Sequence, residues 1–141
     1  MLFRSVSQSR YESFMATPQV VTITQDSIEY PIQKIEWDWL CTDLGVVESA
    51  ASGWYCGKIV RAIISPDSST TQPTDAYDVT IEDADGFDIL SGEGANASNA
   101  AAVHITDPTK VLYVRSNVLT LKIASAGDAK GGVVTLYILR A

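Results

Sequence analysis

From Pro18 onward the chain runs in short stretches rich in Val, Ile, Thr, Trp and Tyr, separated by Gly, Pro, Asp and Ser. That is the pattern of strands and turns. Gln19 to Thr24 alternates Val and Thr, and Gln33 to Thr42 sets Lys34, Glu36 and Asp38 against Ile35, Trp37, Trp39 and Cys41. Strict period two predicts an antiparallel strand with one dry face, and two indoles plus Ile35 supply several kcal/mol of burial at about 25 cal/mol per Å² of apolar surface. Both tryptophans are therefore expected in the core. Trp54 to Ile64 is a longer β-rich run in which Gly57 predicts a bulge, because a residue without Cβ inside a strand marks a bend or a close backbone approach. Ser65-Pro66-Asp67 ends it, and Ser68 to Thr74 is polar enough to run over the surface, wrapping an edge.

Two hairpins are predicted. Over Ala76 to Leu90, a three-residue loop Ala84-Asp85-Gly86 with Gly86 left-handed places Ile81 opposite Ile89 and sets Tyr77, Val79 and Ile81 on one face. A two-residue loop would pair Glu82 with Ile89 and mix the solvent and core faces. The second hairpin joins Val118–Ser125 to Val133–Leu139 through residues 126–132, with Leu119, Leu121 and Ile123 facing the core beside Val134, Leu136 and Ile138. Between the hairpins, Ser91 to Ala102 is small, Gly/Ala/Asn-rich and reads as a surface loop with room for a helical turn near Asn99 to Ala102. Val103–Thr106 and Lys110–Arg115 bring the count to about eight or nine strands, at the spacing of an antiparallel β-sandwich or jelly roll.

Residues 1–17 are different. Leu2, Phe3, Val6, Tyr11, Phe14 and Met15 follow neither strand nor helix period, so this segment has no face of its own to bury. It carries Arg4 and Arg10 against Glu12, leaving residues 18–141, read as one sandwich domain, at a net charge of -8. The lead-in is expected to be an extended arm. A frayed terminus would share its composition, but the embedded aromatics favour docking on something.

Composition narrows the function. The 141 residues carry 17 Asp and Glu against 10 Lys and Arg, a net charge of -7 that repels phosphate backbones, so nucleic acid is not an expected partner. Apolar runs such as residues 111–114 and 137–139 fall far short of the roughly 18–20 residues of a membrane span. The lead-in has serines where a secretory signal needs an apolar stretch, which points to synthesis and folding in the cytosol. There Cys41 and Cys56 are expected as thiols acting as small buried hydrophobes.

Chemistry is sparse. His104 is the lone imidazole, with no nucleophile elbow to serve, and reads as an ordinary strand histidine. Asp83-x-Asp85-Gly86-x-Asp88 has the look of a calcium loop but lacks its remaining ligands, and aspartate and glycine are also what a hairpin tip needs. Glu82 and Asp88 on its outward face would repel unless a lysine, water or cation lay between them. Residues 127–132 lack the phosphate-loop pattern and lead into a strand, and nothing selects a catalytic pair from Asp43, Glu48, Asp75 and Asp78. No cofactor, metal or enzymatic activity is expected.

The stretch Tyr77 to Leu90 with Gly92 to Asn96, and the C-terminal Leu119 to Tyr137, resemble small virion proteins of tailed bacteriophages. The resemblance spans roughly the second half of the chain and carries no catalytic residue. It implies a sandwich that binds the outer capsid surface as an oligomer, a homotrimer before a dimer, and cements neighbouring copies of the major capsid protein. Similar proteins sit at the neck or tail, where a binding module for a host-surface glycan is the alternative. In the cement reading residues 1–17 order on neighbouring subunits, with Arg4 and Arg10 meeting acidic surface and Phe3, Tyr11 and Phe14 filling apolar pockets. Loops 65–75 and 91–102 make lateral contacts. A glycan platform requires exposed aromatic rings, for which Trp54, Tyr55 and Tyr113 are the open candidates.

Overall fold

The computed structural model describes residues 17–26, 31–106 and 113–140. These form an all-β, antiparallel, sandwich-like fold of seven strands. They are β1 (Val20–Asp26), β2 (Ile32–Leu40), β3 (Val47–Pro66), β4 (Asp78–Glu82), β5 (Val103–Ile105), β6 (Tyr113–Ala124) and β7 (Gly131–Arg140). Hydrogen bonding runs in the order β1-β2-β7-β3-β6-β4, with β5 added to β3. The period-two reading of β2 holds: Ile35, Trp37, Trp39 and Cys41 are all buried, while Lys34, Glu36 and Asp38 lie on the other face.

The long strand β3 organises everything else. Its first part, Val47 to Lys58, pairs with β6, and its second, Gly57 to Pro66, pairs with β7. A straight strand of 20 residues would hold its ends about 60 Å apart. Yet Val47 pairs with Ile123 and Pro66 with Gly132, and the nine chain steps from Ile123 to Gly132 reach at most about 32 Å. β3 must fold back, passing from one layer of the sandwich to the other. Register shifts at Ser52/Tyr55 and Ile59/Arg61 supply the bends. Gly57, expected from sequence to be a bulge, is not itself at one: it lies between the two shifts, with φ +149°, at a close backbone approach where an added Cβ would stand 2.0 Å from the Leu139 carbonyl oxygen.

This geometry corrects the second predicted hairpin. β6 and β7 lie on opposite sides of β3 and are not hydrogen-bonded neighbours. Their connection crosses between layers, held by Ala126 N–H to Gly45 O (3.2 Å), Cys41 N–H to Lys130 O (2.7 Å) and Asp67 N–H to Gly131 O (3.0 Å). The faces were nevertheless read correctly, because Leu119, Leu121, Ile123, Val134, Leu136 and Ile138 all enter one core with Ile59, Ile64, Val79 and Ile81. Other elements also differ. Arg115 and Val118 belong to the single strand β6, whereas Lys110 to Leu112 lie outside the described residues. Phe87 to Leu90 contributes only the bridge Glu82–Asp88 and then turns away, so the described strands number seven instead of eight or nine.

Asn99 to Ala102 forms bends and no helical turn, because Asn99 is tied to the facing segment: its N–H donates to Asp75 Oδ1 (3.2 Å), its Nδ2 to Pro73 O (3.2 Å), and its carbonyl accepts from Gln72 Nε2 (2.7 Å). That segment is only partly a surface linker, since Ser68 to Thr70 are exposed but Pro73 is buried. Both cysteines are free thiols, Cys41 buried and Cys56 half-buried. Cys41 Sγ donates to Gly127 O (3.0 Å) and accepts from Lys130 N–H (3.2 Å), and burial pushes its pKa up.

Tyr77 and Tyr55 are fully buried, and desolvation raises both phenols, Tyr77 to about 12 with Asp67 adding to the effect. A folded-state pKa above the unfolded value near 10 means that the stability tied to the neutral phenol is complete below pH 10. It is lost as pH rises towards 12. Alkaline titration of unfolding free energy should therefore fall by about 3 kcal/mol over that window from Tyr77 alone, with Tyr55 acting in the same direction. Among the described residues the Tyr77 hydroxyl has no hydrogen-bond partner. Tyr77→Phe should remove most of the alkaline loss while keeping neutral-pH stability within about 1 kcal/mol, as checked by urea unfolding at both pH values.

Candidate interaction surfaces

Phe3, Arg4, Arg10, Tyr11 and Phe14, the arm residues singled out from sequence, lie outside the described residues. The description begins at residue 17, just before β1. Gln19 is locked to β3 through both ends of its amide, Nε2 donating to Glu48 O (2.8 Å) and Oε1 accepting from Glu48 N–H (2.9 Å). Beside this clamp, Val20, Leu44 and Val46 are 59%, 80% and 44% exposed. The turn carrying Leu44 is held by Thr42, whose Oγ1 accepts from the N–H groups of Leu44 and Val46 and whose carbonyl accepts from Gly45 N–H. Apolar side chains are thus held out to solvent on a fixed turn.

A second surface covers the outward face at the opposite end of β2 and β7. Because period two carries alternate residues outward, two rows of register partners cross the strands. Asp26, Lys34, Tyr137 and Arg61 form one row; Ile32, Leu139, Lys58 and Tyr113 form the next. The Arg61 guanidinium stands 5.8 Å from the Tyr137 ring centroid, and Arg115 stands 6.0 Å from that of Trp54, distances at which cation and π-face attract. Tyr113 and Trp54 are largely exposed, whereas Tyr55 is buried and leaves the set of candidate platform residues. Between Asp26, Ile32, Lys34 and Tyr137 a half-open, mostly apolar pocket of about 250 Å³ opens. Sequence reading missed this surface, although its signal was present: the same alternation that buries Leu136 and Ile138 leaves Tyr137 and Leu139 pointing outward.

The third surface is acidic. Residues 75–93 hold seven Asp and Glu and no Lys or Arg. At its tip the predicted three-residue loop is present, with Gly86 at φ +80° and Ile89 N–H donating to Ile81 O (2.8 Å). The carboxylates build the turn. Asp83 Oδ1 accepts from the N–H groups of Asp85 and Phe87 (2.9 and 3.0 Å). Asp88 accepts from Ile81, Leu90 and Gly92 N–H. Glu82 and Asp88, expected to repel, are each engaged separately: Lys122 Nζ lies 3.0 Å from Glu82 Oε1, a contact that raises the lysine pKa, while Asp88 is taken up by those backbone N–H groups. Phe87 remains 55% exposed on this rigid tip.

His104 is exposed on β5. Among the described residues no group of three or more His, Cys, Asp and Glu side chains is placed to hold a metal ion, and no helix is long and apolar enough to cross a membrane. No family model, curated protein or solved structure matches the chain.

Proposed function

We propose that this chain is a non-enzymatic structural protein of a bacteriophage virion, bound to the outer capsid surface and bracing neighbouring major capsid subunits. The observation that carries this reading is the end of the sandwich where the arm departs. A flexible attachment would transmit no load, but here the root of the arm is clamped at Gln19 to the backbone of the central strand, beside exposed Val20, Leu44 and Val46. An arm that orders on one subunit while this apolar end sits on the next would link the two through a stiff body. Multiplied over many copies, such contacts stabilise a shell by mass action.

The test is decoration of purified shells that lack the protein. Full-length protein should sediment with them, protein lacking residues 1–17 should be lost from them, and Leu44→Asp with Val46→Asp should lower occupancy at least tenfold. Unchanged occupancy by the truncated protein would refute the role of the arm.

A second reading, a tail or fibre module for a host-surface glycan, draws support from exposed Trp54 and Tyr113. It predicts quenching or a blue shift of Trp54 fluorescence on titration with host-surface oligosaccharides, and loss of that response in Trp54→Phe.

A further inference from the structure

Two of the surfaces described above complement each other, and a single copy carries both. One is a rigid acidic turn that holds a phenylalanine out in water. The other is a mostly apolar pocket in a face where four of the seven described Lys and Arg, namely Lys34, Lys58, Arg61 and Arg115, are gathered although the chain as a whole is strongly acidic.

We infer that copies of this chain associate head to tail, the Phe87 tip of one entering the pocket between Ile32 and Tyr137 of the next. Size is compatible: a cavity of about 150 Å³ accepts a benzene ring, and this one is about 250 Å³ and open on one side. Charge is compatible as well. Asp85 flanks Phe87 on the tip, while Lys34 and Arg61 flank the pocket; Asp26 in the wall opposes the approach but sits in register with Lys34. Little ordering is required, because Asp83 already fixes the loop through the N–H groups of Asp85 and Phe87, so the aromatic anchor is presented in one conformation. The tip and the pocket are different patches, so the contact is heterologous and closes into a ring when the rotation permits. This goes beyond the shell reading and does not rest on it, since it is a property of the free protein.

Sedimentation equilibrium of the full chain across a concentration series tests it. The expected result is a mass that rises from 15.2 kDa to a discrete multiple, with at least tenfold weaker association in Phe87→Ser and in Lys34→Glu with Arg61→Glu, each keeping the wild-type circular dichroism spectrum. Because the contact is heterologous, Asp85→Lys protein mixed with the Lys34→Glu, Arg61→Glu protein should recover association that neither shows alone. A wild-type mass of one chain at every concentration, or an assembly that Phe87→Ser leaves unchanged, would overturn the inference. The shell-decoration result with the arm deletion would stand in either case.

Discussion

Replacing Gly57 with alanine is expected to destabilise the protein by about 4 kcal/mol or more, a large share of the roughly 5–15 kcal/mol that holds an ordinary domain folded. Two causes add. The backbone at Gly57 has φ +149°, which a side chain disfavours, and the new Cβ would lie 2.0 Å from Leu139 O and 2.9 Å from Arg140 Cα. Neither neighbour can retreat, since both belong to β7 and are paired there with Lys58 and Gly57. The site is also where β3 changes layers, so a local shift propagates to the β6 and β7 pairings together. Gly86→Ala is the control: φ is again positive, at +80°, but among the described residues nothing lies within 4 Å of the added atom, so its cost should be about 1 kcal/mol. Chemical denaturation of the two variants separates crowding from backbone preference. Equal midpoints would show that the close approach at Gly57 is unimportant.

Trp37→Ala should cost about 4 kcal/mol, the range for emptying a large aromatic from a packed core. Trp37 is fully buried, and its neighbours on the strand face, Ile35 and Trp39, are fixed by pairing to β7 and so cannot collapse into the space. Trp54→Ala, by contrast, removes a side chain that is 54% exposed and should change stability by about 1 kcal/mol or less. Thermal or urea unfolding of the pair measures the difference directly. A Trp54 variant as unstable as the Trp37 variant would contradict the assignment of one ring to the interior and the other to an interaction face.

That contrast shows what one-dimensional pattern can carry. Alternation reports the face of a residue, and it placed Trp37, Trp39, Leu121 and Leu136 correctly inside, as it placed Ile81 opposite Ile89 once Gly86 was given a left-handed conformation. It does not report which strand lies alongside. Leu119 to Ile123 and Val134 to Ile138 have compatible faces and a loop between them, which a hairpin explains as well as a crossover does. Only the bent path of β3, which separates them, decides the matter. The start of β3 was hidden because Ala50, Ala51, Ser52 and Gly53 have little strand preference of their own; pairing with β6 imposes the conformation. The exposed surfaces were hard to read for a related reason. Phe87, Tyr137 and Arg61 acquire meaning as anchors and rims only when distant strands set them side by side, whereas the acidic turn, being local, was legible as a turn from its Asp and Gly residues.

Electron cryomicroscopy of purified virions, at a resolution that separates strands, tests the proposed role most directly. The account predicts this sandwich on the outer surface of the head, in repeated copies over the boundary between adjacent capsid subunits, with density for residues 1–17 continuing from Gln19 onto a neighbour. Heads bare of the sandwich, with the protein recovered free of every virion component, would contradict it.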